Sequence, residues 1–414
     1  MENRYDKYKD SGIAWIGEIP EHWEIVCLKR LSKISTGNQD TQDSTPDGKY
    51  PFFVRSPKVE KSNRYTFEGP SILMAGDGVG AGKIFHLADN KFACHQRVYC
   101  INQLSKINRI FLFYYLSSLF YNIIDSANSK STVDSVRLPM LAEFPICIPL
   151  DIEQQTIAAY LDQKCGEIDE VITLQEEMIT KLQSYKQSVI TEAVTKGLDK
   201  NVPLKDSGIE WIGEIPKHWS KNKIIRLFSI IGSGTTPKSS KEDNYNGSVN
   251  WIQSGDINGG DIEICKNTIS YTAFKEYPAL KIYQAPFIIV AMYGASVGNI
   301  SISQIDGCVN QACCVMNETK QNFKYLFYAM NSVKKYLIYR AEGGGQPNIS
   351  QDKIKNTWLP IPPLSEQQSI ADYLDQRCSE IDELISIKQQ KIEKLKEYRK
   401  SLIFECVTGK RKVS

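Results

Sequence analysis

The sequence predicts a mixed α+β protein with an internal pseudo-two-fold repeat, in which two globular domains are accompanied by two long helices. Three observations lead to this prediction. Two different blocks of sequence each occur twice, the second block opens a long helical pattern in both copies, and the segments between the blocks are rich in short β-type runs.

Composition places the chain among ordinary globular proteins. Its 414 residues, 42% hydrophobic and 24% charged, are enough for two or three domains with buried cores. No segment approaches the roughly 18 consecutive apolar residues that cross a membrane, so we expect a cytoplasmic protein that does not enter a membrane. The net charge is only +2, without the positive excess of a simple nucleic-acid binder.

The cysteines indicate a reduced, metal-free interior. The chain has eleven of them, adjacent only at Cys313 and Cys314, with no C-x-x-C pair and four histidines to complete a metal site. We therefore expect neither disulfides nor zinc.

Two duplicated blocks divide the chain into halves. The first, which we call the tryptophan block, runs from Asp10 to Trp23 and returns from Asp206 to Trp219. The second, which we call the glutamine block, covers 153–172 and returns at 366–385. The offsets are 196 and 213 residues, so the sequence between the blocks is 17 residues longer in the second half.

Both glutamine blocks open long helical patterns, predicted over about 153–195 and 366–407. Each follows proline, with Asp151 or Ser365 available to cap the first turn, and the first ends before Gly197. Core packing alone could account for an apolar stripe, but a helix of roughly 40 residues, ~60 Å long, favours pairing along a shared seam. The predicted seam consists of Ile168, Val171, Gln175, Met178, Leu182, Tyr185 and Val189 in one helix and Ile381, Leu384, Lys388, Ile392, Leu395, Tyr398 and Leu402 in the other.

The regions between the blocks, about 24–148 and 220–359, indicate two separate mixed α/β domains. They differ broadly but share one glycine pattern. The segment Ile72–Lys83 can be aligned with Ile288–Asn299, which places Gly78 and Gly82 on Gly294 and Gly298.

The order of these motifs resembles the specificity subunit of type I restriction-modification systems. A W-I-G-E-I-P-x-H-W block, a variable domain with a G-x-x-x-G turn and an E-Q-Q-x-I-A helix start all occur twice in the right order, over nearly the whole chain. The resemblance implies target-recognition domains at 1–149 and 198–362, and spacer helices at 150–197 and 363–414 that form an antiparallel coiled coil. It also implies that each domain reads one half-site of double-stranded DNA, that two modification methyltransferase subunits dock on the chain, and that restriction translocase subunits join them.

Reading DNA requires side chains that reach base edges and others that hold phosphates. Clusters of Arg, Lys, Asn, Gln and hydroxyl groups are therefore the candidates, although an isolated charged loop residue is more often merely solvated. In the first domain they are Arg55, Lys58, Lys61, Asn63, Arg64, Lys83, His95, Gln96, Arg97 and Lys130. In the second they are Lys238, Ser239, Ser240, Lys241, Gln253, Tyr293, Asn310, Gln311, Gln346 and Asn348. The pairs Gln96-Arg97 and Asn310-Gln311 are favoured because both follow the shared glycine turn at a similar distance.

The duplicated tryptophans suit a task that both halves share. Trp15, Trp23, Trp211 and Trp219 could stack on bases, but their near-identical settings favour core packing or partner docking. Together with Tyr160 and Tyr373 they are the predicted partner-docking residues.

Because two unlike domains sit in one repeated frame, the DNA target is expected to be bipartite and non-palindromic. A rigid helical spacer would place the half-site centres about one turn of DNA apart. With so small a net charge, the chain alone should hold DNA weakly.

We expect no catalytic or cofactor site in this chain. The segment from Gly76 to Lys83 formally matches a dinucleotide or phosphate loop, but the residues after it read as a strand. No N-P-P-[YF] methyltransferase motif occurs, so S-adenosylmethionine, ATP and magnesium are expected on partner subunits. The alternatives are a coiled-coil scaffold that binds only protein and, less favoured, a metal-dependent nuclease.

Overall fold

A computed structural model describes residues 4–127, 135–341 and 347–413. The chain divides into two compact units. The first unit contains Met1–Glu176 and Lys388–Ser414, and the second contains Glu177–Ile387. Each unit therefore holds one globular domain and a portion of both long helices.

The first unit is a mixed α/β domain with two four-stranded sheets. One has the strand order β6-β5-β10-β7 and the other β4-β11-β8-β9, while β1-β2 and β12-β3 form separate antiparallel pairs. The strands are β1 (Tyr8–Asp10), β2 (Glu18–Pro20), β3 (Glu24–Cys27), β4 (Lys33–Thr36), β5 (Tyr50–Phe53), β6 (Glu60–Ser62), β7 (Phe67–Glu68), β8 (Ser71–Ala75), β9 (Phe85–Ala88), β10 (Lys91–Cys94), β11 (Val98–Asn102) and β12 (Pro145–Ile148). The helices that begin in this unit are α1 (Arg109–Leu119), α2 (Tyr121–Ala127), α3 (Leu138–Ala142) and α4 (Asp151–Lys196).

The second unit repeats this plan with a five-stranded sheet, β16-β23-β20-β21-β18, and a three-stranded sheet, β19-β17-β22. Pairs β13-β14 and β15-β24 correspond to β1-β2 and β3-β12. The strands are β13 (Leu204–Asp206), β14 (Glu214–Pro216), β15 (Ser220–Lys223), β16 (Ile230–Gly232), β17 (Tyr245–Ile252), β18 (Asp261–Ile262), β19 (Thr268–Ile269), β20 (Phe287–Ala291), β21 (Ile300–Ser303), β22 (Cys308–Val309), β23 (Cys313–Asn317) and β24 (Trp358–Ile361). The helices are α5 (Tyr271–Glu276), α6 (Phe323–Ser332), α7 (Lys334–Tyr339), α8 (Gln351–Lys355) and α9 (Leu364–Val407).

The most apolar strand of each unit lies inside its sheet. Strand β8 is buried at all five positions and pairs with β9 and β11. Strand β20 is likewise buried throughout and pairs with β21 and β23. A strand covered on both faces needs a continuous apolar run, and Ile72–Ala75 in β8 and all of FIIVA in β20 provide it. The residue after each strand opens the glycine turn.

The long helices confirm the predicted element type and agree with the predicted limits within two residues. Asp151 lies in the first turn of α4 instead of preceding it, and the Glu153 carboxylate accepts the amide hydrogen of Leu150 at 3.2 Å. Gly197, with a φ of 76°, follows the last helical residue as a left-handed terminator. Within the described ranges, no helix is long and apolar enough to cross a membrane.

The helices pack antiparallel within each unit. In the first unit Arg399 lies 3.1 Å from Asp169, and Lys388 donates to Gln175 at 3.4 Å, so positions rise along α4 as they fall along α9. In the second unit Lys186 Nζ lies 2.6 Å from Asp382. Polar pairs between α4 and α9 therefore contribute to the antiparallel packing of the two helices.

The apolar seam is narrower than the heptad pattern predicts. Met178, Tyr185, Leu384 and Tyr398 are each 44–52% exposed, whereas Ile168, Val189, Ile381, Ile392 and Leu402 are buried. Met178, Tyr185, Leu384 and Tyr398 are therefore only partly covered, where the heptad pattern predicts buried side chains. Near the middle of the helices, the predicted seam residues Gln175 and Lys388 contact each other, so polar groups occupy part of the contact that heptad spacing assigns to apolar ones.

One buried glutamine ties each domain to its long helix. Gln154 Oε1 accepts the backbone N–H of Asn108 at 2.6 Å, and its Nε2 donates to the Pro149 carbonyl at 3.0 Å. Asn108 in turn caps α1, because its Oδ1 accepts the N–H groups of Ile110 and Phe111. The glutamine block thus fixes the start of α1 against the start of α4.

The second unit repeats the same junction. Gln367 Oε1 accepts the N–H of Asn322 at 2.9 Å, and its Nε2 donates to the Pro362 carbonyl at 2.9 Å. Asn322 caps α6 through the N–H of Tyr325. Both glutamines are at most 1% exposed.

Gln154→Ala should lower the free energy of unfolding by about 1–3 kcal/mol, because it leaves buried backbone groups without partners. The matched control is Gln155→Ala, which removes an exposed side chain of the same type and should change stability by less than about 0.5 kcal/mol. Urea unfolding of the full chain measures both. Equal midpoints for the two variants would contradict the role assigned to Gln154.

Candidate nucleic-acid interface

The glycine turn has the same backbone geometry in both units. Gly78 and Gly82 have φ values of 74° and 62°, and Gly294 and Gly298 have values of 75° and 78°, all in the left-handed region. The predicted alignment of these glycines is confirmed. The N–H of Gly82 donates to Ala75 at 2.9 Å, and that of Gly298 donates to the corresponding Ala291 at 2.8 Å.

The turn leads into a strand in both units. Phe85–Ala88 and Ile300–Ser303 follow it as β9 and β21, as the sequence predicts. A dinucleotide or phosphate loop would instead open a helix whose N-terminus faces the phosphate. The glycine pattern is therefore a structural turn. We call the side chains around it the rim: Arg55, Asp77 and Arg97 in the first unit, and Tyr293, Gln311 and Asn348 in the second.

Two arginines meet at one aspartate beside the first turn. Arg55 Nη1 lies 3.0 Å from Asp77 Oδ1, and Arg97 Nη1 lies 3.3 Å from Asp77 Oδ2. The two arginine side chains are 45% and 62% exposed, while that of Asp77 is 20% exposed. The structure thus brings together two predicted DNA-contact residues that are 42 positions apart in sequence.

A second acidic residue organises the neighbouring loop. Asp40 accepts from Gln96 Nε2 at 3.2 Å and lies 3.2 Å from His95 Nε2. The Thr41 backbone N–H, and to a smaller extent His95, lower the pKa of the Asp40 carboxyl. His95 is only 2% exposed, and its Nδ1 accepts the N–H of Arg97 at 3.0 Å. Burial therefore favours a positioning role for His95, whereas Gln96 is at the surface.

The other described candidates of the first domain lie on its surface. Lys58, Lys61 and Asn63 are exposed, and Arg64 forms an ion pair with Asp43 at 2.9 Å. Lys83 places its Nζ 4.4 Å from the centre of the Tyr121 ring. Lys130 lies outside the described residues.

In the second unit the turn carries uncharged groups. Tyr293, 39% exposed, forms an antiparallel bridge with Asn348. Gln311 Oε1 accepts from the Thr236 hydroxyl at 2.6 Å. Asn310 Oδ1 is directed inward, because it accepts the N–H of Ala312 at 3.1 Å.

The other described candidates of the second domain lie beside α5 or at a short 3₁₀ turn. Lys241 pairs with Glu276 at 2.6 Å, and the N–H of Lys238 donates to the Tyr277 hydroxyl, so this cluster is organised by α5. Ser239 and Ser240 are exposed beside it, and Gln253 precedes a short 3₁₀ turn at Ser254–Asp256. Gln346 lies outside the described residues.

The acidic partners were not among the sequence candidates. Asp40 and Asp77 carry the wrong charge for a surface expected to face phosphates, so a search for basic and amide residues passes over them. The available signal was position, since Asp77 immediately precedes the first glycine of the turn.

The tryptophans fall into two classes. Trp23 and Trp219 are at most 1% exposed, so they are core residues with no ring surface for bases or partners. Trp15 and Trp211 are partly buried against the same cores. Of the two tyrosines, Tyr373 is exposed at 38% and Tyr160 is half-buried, which leaves Tyr373 as the accessible docking candidate.

The chain repeats one fold and places polar residues beside the glycine turn of each unit. Comparison with known proteins identifies the family that has this duplicated architecture. The family model described as "Type I restriction modification DNA specificity domain" matches residues 20–183 and 216–397. The chain therefore belongs to the type I restriction-modification DNA specificity family.

Individual relatives cover nearly the whole chain. The EcoDI type I restriction enzyme specificity subunit of Escherichia coli is 23% identical over 413 residues, which are 95% of this chain and 89% of that protein. The putative MjaX specificity subunit of Methanocaldococcus jannaschii is 25% identical over 431 residues, with 96% of each chain covered. A solved chain from work on complex assembly and conformational transition of the type I R-M system shares the fold, with a TM-score of 0.70 and 17% sequence identity. The match covers 94% of this chain and 98% of that one.

Gly82→Ala should destabilise the first unit more than Gly78→Ala. Both positions have positive φ, which costs an alanine about 1–2 kcal/mol. A Cβ on Gly82 would also lie 2.2 Å from Ile124 Cδ1, whereas one on Gly78 meets nothing within 4 Å. Overpacking should add about 1–3 kcal/mol at Gly82. Urea unfolding of both variants tests this, and a larger loss in Gly78→Ala would contradict the described packing.

Proposed function

We propose that the first and second domains read two different half-sites of one DNA duplex, which makes the target bipartite and non-palindromic. The observation that carries this proposal is a common backbone frame with different rim chemistry. Charged groups surround the first turn, centred on Asp77, while hydroxyl and amide groups surround the second, centred on Tyr293. Base edges are distinguished by their donor and acceptor patterns, so unlike rims select unlike bases.

The long helices are proposed to set the separation of the half-sites and to dock partner subunits. Their antiparallel polar contacts, Asp169 with Arg399 and Lys186 with Asp382, would fix their register and oppose sliding. A fixed spacer predicts half-site centres about one turn of DNA apart. Two modification methyltransferase subunits and the restriction translocase subunits are the proposed protein partners.

Catalysis is proposed to belong to those partners. The chain would act without chemistry of its own, while S-adenosylmethionine, ATP and magnesium are bound by the methyltransferase and translocase subunits. The carboxylates at the turns support this division, because Asp40 and Asp77 are held by cationic or amide side chains.

Sequence-specific binding is tested on the complex of this chain with its methyltransferase partner. Sequencing the methylated bases of a host that expresses both should reveal one motif with two unlike specified blocks and an unspecified gap. Filter binding should then retain duplexes with this motif and release scrambled ones at physiological salt. Equal retention of both duplexes would favour the alternative, a coiled-coil scaffold that does not read bases.

The double variant Lys58→Ala with Lys61→Ala should weaken binding of the complex to all sequences alike. If both lysines contact phosphates, the slope of log K against log salt should become less negative by about 2, since each contact contributes roughly 0.9. The charge-preserving variant Lys58→Arg with Lys61→Arg is the matched control and should retain the slope. An unchanged slope in the alanine variant would place both lysines away from DNA.

The isolated chain should bind the target weakly, because its net charge is only +2 and the partners supply much of the phosphate contact. Titrating labelled target DNA with the chain alone and with the complex measures the difference. Tight, salt-resistant binding by the chain alone would contradict this division of labour.

A further inference from the structure

The two arginines at Asp77 come from separate parts of the first domain. Arg55 follows β5, Asp77 follows β8, and Arg97 precedes β11. Each arginine uses Nη1 for the aspartate, so other N–H groups of each five-donor guanidinium remain for a ligand. One carboxylate between two guanidiniums leaves a net charge of +1 and keeps both arginines beside the turn.

Backbone hydrogen bonds show which residues of the second unit occupy the equivalent positions. The N–H of Gly76 donates to Arg97 at 2.8 Å, and the N–H of Met292 donates to Ala312 at 2.7 Å. Ala312 therefore stands where the first unit has Arg97. Since Gly76 and Met292 are equivalent, the residues that follow them, Asp77 and Tyr293, are equivalent as well.

The third position is located in the same way. The N–H of His95 donates to Phe53 at 3.0 Å, and the N–H of Asn310 donates to Ile252 at 3.1 Å. Two residues after Phe53 is Arg55, and two residues after Ile252 is Ser254. The set Arg55, Asp77 and Arg97 is thus replaced as a whole by Ser254, Tyr293 and Ala312.

This joint replacement points to base reading instead of phosphate binding. Phosphates are chemically the same on both half-sites, so two domains with one frame have no need to exchange a phosphate contact at three positions together. An aspartate would also repel a phosphate, whereas it orients guanidiniums for a neutral base edge. The arrangement therefore suits an acceptor pair on a base.

We infer that Arg55, Asp77 and Arg97 form the guanine-reading centre of the first recognition domain. An arginine donates two parallel hydrogen bonds to O6 and N7 of guanine in the major groove, and Asp77 is the positioning residue for both arginines. The second domain has no guanidinium at these positions and recognises its half-site by other groups. The inference rests on the proposed function, since it assigns a base to one of its two readers.

The test compares Arg97→Lys and Arg55→Lys with the wild-type chain, each in complex with the methyltransferase. Lysine keeps the charge but lacks the planar fork. The methylated motif of one variant or both should become degenerate at a G·C pair in one half-site, while the other half-site stays specified. That unchanged half-site also shows that the variant folds and assembles.

Binding to modified DNA locates the contact. Replacing the relevant guanine by 7-deazaguanine removes N7 and should weaken the wild-type complex roughly 10- to 100-fold. The same replacement should have little effect on the lysine variant that has lost discrimination. Asp77→Asn should weaken discrimination at the same base pair while both arginines remain, and Ser254→Ala, in the second domain, should leave that pair fully specified.

Three results would overturn the inference. One is a wild-type motif whose affected half-site contains no G·C pair. Another is a set of lysine variants that discriminate as well as wild type. The third is a uniform loss of affinity in Arg55→Ala and Arg97→Ala with a less negative salt slope, which would make them phosphate contacts. Failure of the proposed function itself would look different, because the wild-type complex would then bind target and scrambled DNA equally.

Discussion

The architecture depends on a buried amide at the start of each long helix. Gln154 and Gln367 each accept a backbone N–H from the capping residue of a domain helix and donate to a carbonyl just before their own helix. Because a buried amide without partners costs about 1–3 kcal/mol, this junction has little freedom to shift. Recognition domain and helix therefore behave as one piece at this point in each unit.

Other residues of the duplicated blocks also make contacts at the start of each long helix. His22 contacts Glu153 at 2.8 Å, and His218 contacts Glu366 at 2.7 Å, which joins each tryptophan block to the helix start. A little more than two helical turns later in each long helix, Asp162 accepts a hydrogen bond from Tyr114 and Asp375 accepts one from Tyr328. Burial and the acidic acceptors raise the pKa of both tyrosines, so the hydroxyls remain donors at neutral pH. The repeated blocks are thus the parts that hold each unit together.

The residues around the two glycine turns differ although the turns share one backbone frame. The two turns share glycines with positive φ and equivalent backbone hydrogen bonds. The first turn carries Arg55 and Arg97 paired with Asp77, whereas the second carries Tyr293 bridged to Asn348. A specificity protein needs this combination, because the frame sets where a side chain meets DNA while the side chain selects the base. The residues around the turns are not those of the glutamine junction, so the turn side chains can differ between the units while the junction stays the same.

The sequence by itself determined the duplication, the helix limits within two residues, the glycine turn and the family, because these depend on local residue order and spacing. It also predicted Gln96 and Arg97 as DNA-contact residues, and that assignment stays a prediction. Only the tertiary structure decided which side chains meet. Arg55, Asp77 and Arg97 converge through strand pairing between distant segments, His95 turns inward, and the seam of α4 and α9 exposes Met178 and Tyr185. Such contacts depend on which surfaces pack together, and periodicity along one chain segment carries no information about its partner.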